Sequence, residues 1–292
     1  VCSSDLVGTA AAYLVTALAG ILEPSLGPVA SFRVTVAVLA VIALACMLVP
    51  AFGIDENLYA DTQPSSTPMG QSVAKTFRNR EFQIFEGSDV LYWVSITMFQ
   101  TGLPYYVTEL MGFDDSWTFV FFAAMTLISL MFYAPVNVLA KRIGKKKLVA
   151  FAFFFFCLAF AVTSICGQFG VPQIMWGVVV AVLAAVPMAI LGILPQAVLA
   201  DIAEADAVQT GENREGMFYA ARTFSMTLGQ TLAMVLFTSI SSVAAGGLGY
   251  RLTAAVATAF CLIAGLVFTR YHEDKVLGVI SMLDTNDVSV TE

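Results

Sequence analysis

Charge is scarce in this sequence. Only 12% of its 292 residues are Asp, Glu, Lys or Arg, whereas a soluble domain carries about 25%. Hydrophobic residues make up 59% of the chain, and its mean hydropathy is +0.83. Several apolar stretches reach the roughly 18–20 residues that a helix needs to cross the bilayer core. The composition therefore excludes an ordinary soluble domain and indicates a polytopic membrane protein.

Sequence patterns of catalysis are missing as well. The chain contains no P-loop, HExxH or G-x-S-x-G pattern, and its five cysteines have no paired spacing. We identify no pair of Asp residues, and no Ser/His pair, at the membrane depth that an intramembrane enzyme needs. The single histidine, His272, follows the last apolar run, where a solvated side chain is expected. We therefore expect no enzymatic activity, no metal or organic cofactor and no nucleic-acid partner.

Eight apolar runs are present, and each predicts a transmembrane helix, because lipid offers no hydrogen-bonding partners for free backbone groups. The runs are also longer than the strands of a membrane barrel. The fold class is therefore an all-α polytopic membrane protein. The predicted spans are about 7–23, 31–52, 86–109, 117–139, 148–168, 173–200, 216–243 and 251–270.

The basic residues predict the orientation. An even number of spans places both termini on one side, and of the lysines and arginines only Arg33 and Arg251 then lie opposite. The positive-inside rule puts the basic side, and both termini, in the cytoplasm. We expect a multi-pass protein of the cell (inner) membrane.

A long polar segment separates the second and third spans. The Pro/Ser-rich middle of 53–82 predicts a flexible linker, and "QSVAKTFRNREF" (71–82) predicts a short helix at the cytoplasmic interface. The chain therefore divides into four parts. They are two helices (1–52), a linker with its interfacial helix (53–85), a six-helix bundle (86–271) and a cytoplasmic tail (272–292).

Several motifs resemble the second half of a major facilitator transporter. "NVLAKRIGKKK" (137–147) resembles the basic loop between the second and third helices of each half, and "LPYYVTELMG" (103–112) closes the third span. "LPQAVLADIAEAD…TGENREGMFYAARTF" (194–224) is similar to the tenth-to-eleventh helix junction of the glycoside–pentoside–hexuronide:cation symporters, the melibiose carrier family. The resemblance covers nearly the whole chain from about residue 7.

The resemblance implies a partial major facilitator fold, with the last two helices of the N-terminal bundle and the six-helix C-terminal bundle. The match begins at the family's fifth helix, so we expect an N-terminally truncated chain. The four earlier helices hold the acidic residues that bind the coupling cation, Na+ or H+, in this family. The implied function is sugar:cation symport by alternating access, in a protein that is monomeric at full length. The present chain alone is expected not to couple transport.

The resemblance also concerns two site residues. The family's sugar-contacting threonine matches Thr223, and a lysine of the melibiose carrier falls at Thr227. Without that lysine, the substrate and the coupling scheme stay open.

Two polar stripes are candidate substrate-binding surfaces. Tyr219, Thr223, Thr227 and Gln230 follow at helical spacing in the seventh span, and Trp93, Thr97, Gln100 and Pro104 do so in the third. A polar stripe in a membrane helix is expected to line a cavity, although hydrogen bonding between helices explains threonines too. An aromatic ring beside amide and hydroxyl groups suits a sugar. The alternative for Trp93 is an interfacial aromatic belt, which we also expect for Tyr105 and Tyr106.

The polar segment 201–215 is predicted to be a cytoplasmic loop. Most of its acidic residues are expected to be solvated: Glu204, Asp206, Glu212 and Glu215. Asp201 and Arg214 flank the neighbouring helices and are predicted to pair with Lys141 or Arg142. Such pairs can latch one face of a rocking transporter, or simply anchor the interface.

Arg222 lies about two turns inside the seventh span. We include it with the gating candidates. The alternative is that its side chain extends to the lipid headgroups.

Other functions remain open from the sequence. A lipid or lysolipid symporter of the same fold is the nearest alternative to a sugar carrier. A non-transporting membrane scaffold or sensor usually appends a soluble domain, for which residues 272–292 are too few.

Overall fold

The computed structural model describes residues 22–53, 68–114, 116–168, 170–243 and 247–290, together with three isolated positions before them. These residues form helices and short connections, and no strand occurs within them. The predicted first span and most of the linker fall outside the described residues. The helices are α1 (Pro28–Gly53), α2 (Met69–Arg78), α3 (Arg80–Tyr105), α4 (Ser116–Ile143), α5 (Lys145–Ser164), α6 (Gln173–Thr210), α7 (Glu215–Ser241), α8 (Leu248–Phe268) and α9 (Glu273–Val290).

The chain forms two units, Val1–Pro64 and Ser65–Glu292, and the boundary falls inside the predicted linker. Helix α1 belongs to the first unit. Its 26 residues extend about 39 Å at 1.5 Å per residue, which is enough to cross a bilayer core of about 30 Å. Apolar side chains such as Val41 and Met47 are exposed along it, as expected for a helix that faces lipid.

Six of the described helices are long and apolar enough to cross a membrane. They are α1, α4, α5, α6, α7 and α8, and each corresponds to a predicted span. The span predicted at 86–109 falls on α3, which has the length but not the hydropathy of the others. The reason is that α3 buries polar side chains, among them Ser88, Asp89 and Ser95. An all-α polytopic membrane fold is therefore confirmed, with one helix that is unusually polar.

Helix α3 lies at the centre of the second unit. It packs against α7 and α8 and touches α6, while α8 also packs on α5. Aromatic side chains fill the space between α3 and α5, where the rings of Phe99 and Phe160 lie 4.8 Å apart. Small residues let other helices approach, since a Cβ on Gly265 would lie 3.1 Å from the Cβ of Phe153. The core therefore holds α3 rigidly along one side.

A π-helical turn, Tyr106–Leu110, follows α3. Pro104 lacks the N–H that an α-helix needs in its last turns, which favours a change of winding there. The ring of Tyr106 lies directly against the Cα of Gly102, where no larger residue would fit. Its hydroxyl is 3.0 Å from that of Thr253 on α8.

Helix α6 is longer than predicted. It continues through Thr210 and ends at Gly211, whose positive φ of 69° suits glycine. The predicted loop 201–215 is therefore wrong over most of its length, and only residues 211–214 connect α6 to α7. The segment holds no proline or glycine before Gly211, so its polar residues simply extend the helix beyond the apolar span.

The predicted interfacial helix is interrupted at Asn79. Helix α2 ends at Arg78, and the Asn79 Oδ1 accepts hydrogen bonds from the backbone N–H groups of Glu81 and Phe82. This side-chain cap starts α3. The segment after the last span, predicted only as a tail, forms α9, which packs against α6.

Candidate functional site

Helices α3 and α7 come into close contact. A Cβ on Gly229 of α7 would lie 3.1 Å from the carbonyl oxygen of Val90 and 3.3 Å from the Cβ of Trp93. Further along, the Thr101 hydroxyl lies 3.5 Å from the sulfur of Met234. Glycine at position 229 therefore lets the backbone of α7 run against the turn of α3 that carries Trp93. The two predicted polar stripes lie on helices that touch.

The stripe residues remain accessible to different degrees. On α3, Trp93, Thr97 and Gln100 are half-buried and Pro104 is exposed; on α7, Tyr219 and Gln230 are half-buried, whereas Thr223 and Thr227 are exposed. Beside them, Ala221 and Ser225 are buried. Helix α7 therefore has one face packed into the bundle and one face that presents hydroxyl and amide groups.

The threonines of α7 bond within their own helix. The hydroxyl of Thr223 donates to the carbonyl oxygen of Tyr219, and that of Thr227 to the carbonyl oxygen of Thr223, both at 2.9 Å. Neither bond joins α7 to another helix, so this pair does not act as interhelical glue. Each hydroxyl oxygen keeps lone pairs that can accept a hydrogen bond from a ligand.

Arg222 points into the bundle. Its Nε donates to the Asp89 Oδ2 at 2.9 Å and its Nη2 to the Oδ1 at 3.2 Å. The two side chains are 9% and 4% exposed, and the guanidinium carbon lies 5.7 Å from the ring centre of Phe85. The alternative in which Arg222 extends to the lipid headgroups is therefore wrong. The residue forms a two-point ion pair between α7 and α3.

Asp89 also holds the aromatic ring of the α3 stripe. The Trp93 Nε1–H donates to the Asp89 Oδ2 at 3.1 Å, one helical turn away. Asp89 therefore fixes both the indole and the arginine. Asp89 was not among the predicted site residues, although an acid inside an apolar span, four residues before Trp93, indicates a buried partner.

A second carboxylate, Glu86, is also buried in α3 and lies one turn before Asp89. The sequence predicted no pair of Asp residues, and this pair of one Glu and one Asp was not predicted. Asp89 is committed to Arg222 and Trp93, so the two acids do not form the symmetric pair of an intramembrane protease.

At the basic end of the bundle, Asp201 pairs with Lys145, whose Nζ lies 2.8 and 2.6 Å from the two carboxylate oxygens. The predicted partners, Lys141 and Arg142, are exposed at the end of α4. The chain turns sharply at Gly144, with φ 95°, so the first residue of α5 rather than the last residues of α4 reaches α6.

Arg214 pairs with the end of α6. Its Nη2 donates to the Asp206 Oδ2, and both side chains are buried. The Asn79 Nδ2 donates to the other oxygen of Asp206 at 3.0 Å. The prediction that Asp206 is solvated is therefore wrong, and so is the predicted pairing of Arg214 with the end of α4. Asp206 ties the α6–α7 connection to the start of α3.

Two further acids of the 201–215 segment are exposed as predicted, Glu204 and Glu215. Glu212 is not simply solvated, because the Lys75 Nζ lies 2.9 Å from its Oε2. This pair joins α2 to the α6–α7 connection. Lys75, Asp206, Arg214 and their neighbours line a cleft of about 480 Å³.

Helix α9 is fastened at the same end. Glu273 accepts hydrogen bonds from the backbone N–H groups of Lys145 and Lys146, at 2.6 and 3.0 Å, and so caps α5. The buried carboxylate of Glu81 accepts the backbone N–H of His272 at 3.1 Å. The His272 side chain is exposed, as predicted, with its Nδ1 3.4 Å from Glu81. We refer to these contacts and those of the three preceding paragraphs together as the basic-end network.

The two tyrosines at the other end of α3 differ. Tyr106 is fully buried, so the prediction of an interfacial belt is wrong for it. Tyr105 is exposed, and its ring stacks on that of Tyr250 at 4.9 Å.

The long apolar helices of the described residues define this molecule as a polytopic membrane protein. A family model described as MFS/sugar transport protein matches residues 2–269. The chain belongs to this family of the major facilitator superfamily and is a multi-pass membrane transporter. No curated protein matches it at a significant level.

Proposed function

We propose that the protein is a sugar:cation symporter similar to the melibiose carriers. The observation that supports the proposal is the contact of α3 with α7 at Trp93 and Gly229, since each of these helices carries one of the two stripes. An indole beside hydroxyl and amide groups suits a sugar, which has an apolar CH face and a rim of hydroxyls. Asp89 holds the indole in one orientation, and such preorganisation lowers the cost of binding.

Substrate would bind near the bilayer midplane between the two halves of a complete major facilitator fold. On the α7 side we assign ligand contacts to Tyr219, Thr223, Thr227 and Gln230. Exposed hydroxyls at Thr223 and Thr227 support this assignment, because each can accept a hydrogen bond from a sugar hydroxyl.

The basic-end network is proposed to act as the cytoplasmic gate. Alternating access requires contacts that form in one state and break in the other. Lys145–Asp201 joins α5 to α6, and Lys75–Glu212 joins α2 to the connection before α7. These partly exposed pairs can be broken at modest cost, because water takes the place of the lost partner of each charge.

The transport assay should use protein from the complete gene, reconstituted in liposomes with an imposed Na+ or H+ gradient. Candidate substrates are a glycoside, a pentose, a hexuronide and a lysophospholipid. We expect gradient-driven accumulation of at least one sugar and none of the lysophospholipid. Accumulation of the lysophospholipid alone would replace the sugar proposal with the lipid alternative, and no accumulation of any would contradict symport.

A further inference from the structure

We propose that Glu86 is a proton-binding site in the C-terminal bundle, and that its proton controls the Asp89–Arg222 ion pair between α3 and α7. The inference deepens the proposed function, because it names a coupling ion and a group of this chain that binds it. Only the transport experiment described below depends on the proposed function.

The surroundings of Glu86 favour a neutral side chain. Its side chain belongs to a residue that is only 6% exposed, and neither carboxylate oxygen makes a hydrogen bond of ordinary geometry. The Ser225 hydroxyl of α7 faces it, but without the alignment of a good hydrogen bond. An ionised carboxylate buried in this way has a large desolvation cost that Ser225 and Arg222 offset only in part, and a bound proton removes that cost.

The charged neighbours of Glu86 also favour a bound proton. The ionisable groups that act on Glu86 are Asp89 on the same helix and Arg222 on α7. Within the described residues, α2, α6 and α8, which also touch α3, bring no other ionisable group into range. Two carboxylates thus share one guanidinium. Asp89 already holds that group at two points, so an ionised Glu86 would add an unbalanced negative charge.

The site at Glu86 suits a proton better than a sodium ion. Sodium needs several oxygen ligands around it, as hard cations generally do. The side-chain oxygens that act on Glu86 come from Ser225 and Asp89, and a fixed positive charge, Arg222, acts on it as well. No cluster suited to a metal ion occurs in the parts of the chain that the structure describes. A proton, which needs only one oxygen, fits this site.

Asp89 links the protonation of Glu86 to the substrate-binding stripe on α3. When Glu86 is protonated, Asp89 alone pairs with Arg222 and also holds Trp93. When Glu86 loses its proton, its carboxylate competes for the same guanidinium, and the link between Arg222 and Asp89 weakens. Arg222 immediately precedes Thr223. Proton release would therefore loosen the contact between the two helices that carry the stripes.

The primary test is infrared difference spectroscopy of protein from the complete gene in lipid bilayers at neutral pH. We expect a C=O band of a protonated carboxyl group that shifts in D2O, is lost in Glu86→Gln and persists in Glu109→Gln. Glu109 is a matched control, because it is an exposed carboxylate just beyond the other end of α3. An unchanged band in Glu86→Gln would overturn the proposal.

Folding of the variant is part of the test. Glutamine has the shape of the protonated carboxyl group, so the proposal requires Glu86→Gln to fold and to keep the thermal stability of the parent protein. Failure of this variant to fold, while Glu109→Gln folds, would contradict the proposal as well.

A transport measurement distinguishes the proton site at Glu86 from the proposed symport function. A pH gradient should drive sugar accumulation in the parent protein and in Glu109→Gln, whereas Glu86→Gln should equilibrate sugar without accumulating it. Retained proton-driven accumulation in Glu86→Gln would overturn the proton site and leave the symporter intact. If no variant moves sugar, the proposed function fails, and the infrared result alone decides whether Glu86 binds a proton.

Discussion

The α3–α7 contact and the basic-end network both join helices through ion pairs, yet they differ in solvent access. Asp89 and Arg222 are 4% and 9% exposed, whereas Lys75 and Glu212 are 45% and 33% exposed. In the interior, one arginine meets one aspartate at two points. At the basic end, the Arg214–Asp206 pair is also buried, but the Lys145–Asp201 and Lys75–Glu212 pairs are more exposed.

The difference indicates two tasks. A buried pair is costly to break, because either partner left alone is an unpaired charge in a medium without water. Partly exposed pairs exchange one partner for water at little cost. We therefore infer that the α3–α7 pair fixes the geometry of the polar face, while the partly exposed pairs of the basic-end network, Lys145–Asp201 and Lys75–Glu212, are the contacts that open and close.

The largest effect should come from breaking the interior pair. Asp89→Asn removes the carboxylate that holds Arg222 at two points. Glu86, the other carboxylate that acts on Arg222, makes no such contact, and we expect the free energy of unfolding to fall by about 3–5 kcal/mol at most. Thermal unfolding in detergent can measure this loss. The double variant Asp89→Asn/Arg222→Gln should recover part of it, because no buried charge remains unpaired. Equal stability of the single variant and the parent would remove the distinction between the two regions.

A smaller effect is expected from the half-buried pair at the basic end. Asp201→Asn removes the charge that Lys145 contacts, at 2.6 Å in the structure, and should cost about 1.5 kcal/mol. That cost corresponds to a roughly tenfold shift toward the state with an open basic end. The alkylation rate of the thiol in Ile202→Cys reports the shift, since Ile202 is buried beside the cleft.

The matched control for that prediction is Glu204→Gln on the same helix, where the carboxylate is exposed. It should leave the alkylation rate unchanged. If both variants raise the alkylation rate equally, the loss of any negative charge from α6, and not the loss of the Lys145–Asp201 contact, determines opening.

Loss of one ligand hydroxyl should be weaker still. Thr223→Val keeps the shape of the side chain, and loss of a single hydrogen bond costs about 0.5–1.5 kcal/mol. We expect KM for sugar uptake to rise roughly 2- to 10-fold with little change in thermal stability. Thr126→Val on α4 is the control, because its hydroxyl also bonds within its own helix, to Phe122. A similar rise in KM for both variants would argue against a ligand contact at Thr223.

The smallest effect is expected at the most exposed pair. Lys75→Met should destabilise the closed basic end by about 0.2–1 kcal/mol, and the effect should shrink as salt is added. The alkylation rate of Ile202→Cys, measured at low and at high ionic strength, tests this. An effect as large as that of Asp201→Asn, and independent of salt, would place Lys75 in the same class as the interior pair.

The sequence predicts the helices well because apolar length and basic connections are local properties. The spans on α1 and α4–α8 agree with the structure within a few residues at most ends. The end of α6 is the main exception. Polarity suggested a loop at 201–215, but helix termination depends on a residue such as Gly211 rather than on the change from apolar to polar side chains.

The charged partners were harder to predict, because they depend on which helices touch. Arg222 and Asp89 are separated by 133 positions in the chain, and nothing local indicates that they meet. A missing partner was nevertheless a signal, since an arginine inside a span implies an acid somewhere in the bundle. The pair Lys145–Asp201 was predicted one turn away, because the reversal at Gly144 depends on a backbone angle that the sequence does not state.

The central claim is that the α3–α7 polar face binds the substrate, and the fluorescence of Trp93 tests it most directly. The chain contains three tryptophans, and Trp176 at the start of α6 provides the matched control. A transported sugar should change the emission of the parent protein and of Trp176→Phe, and the change should disappear in Trp93→Phe. Loss of the response in Trp176→Phe, with its retention in Trp93→Phe, would contradict a binding site between α3 and α7.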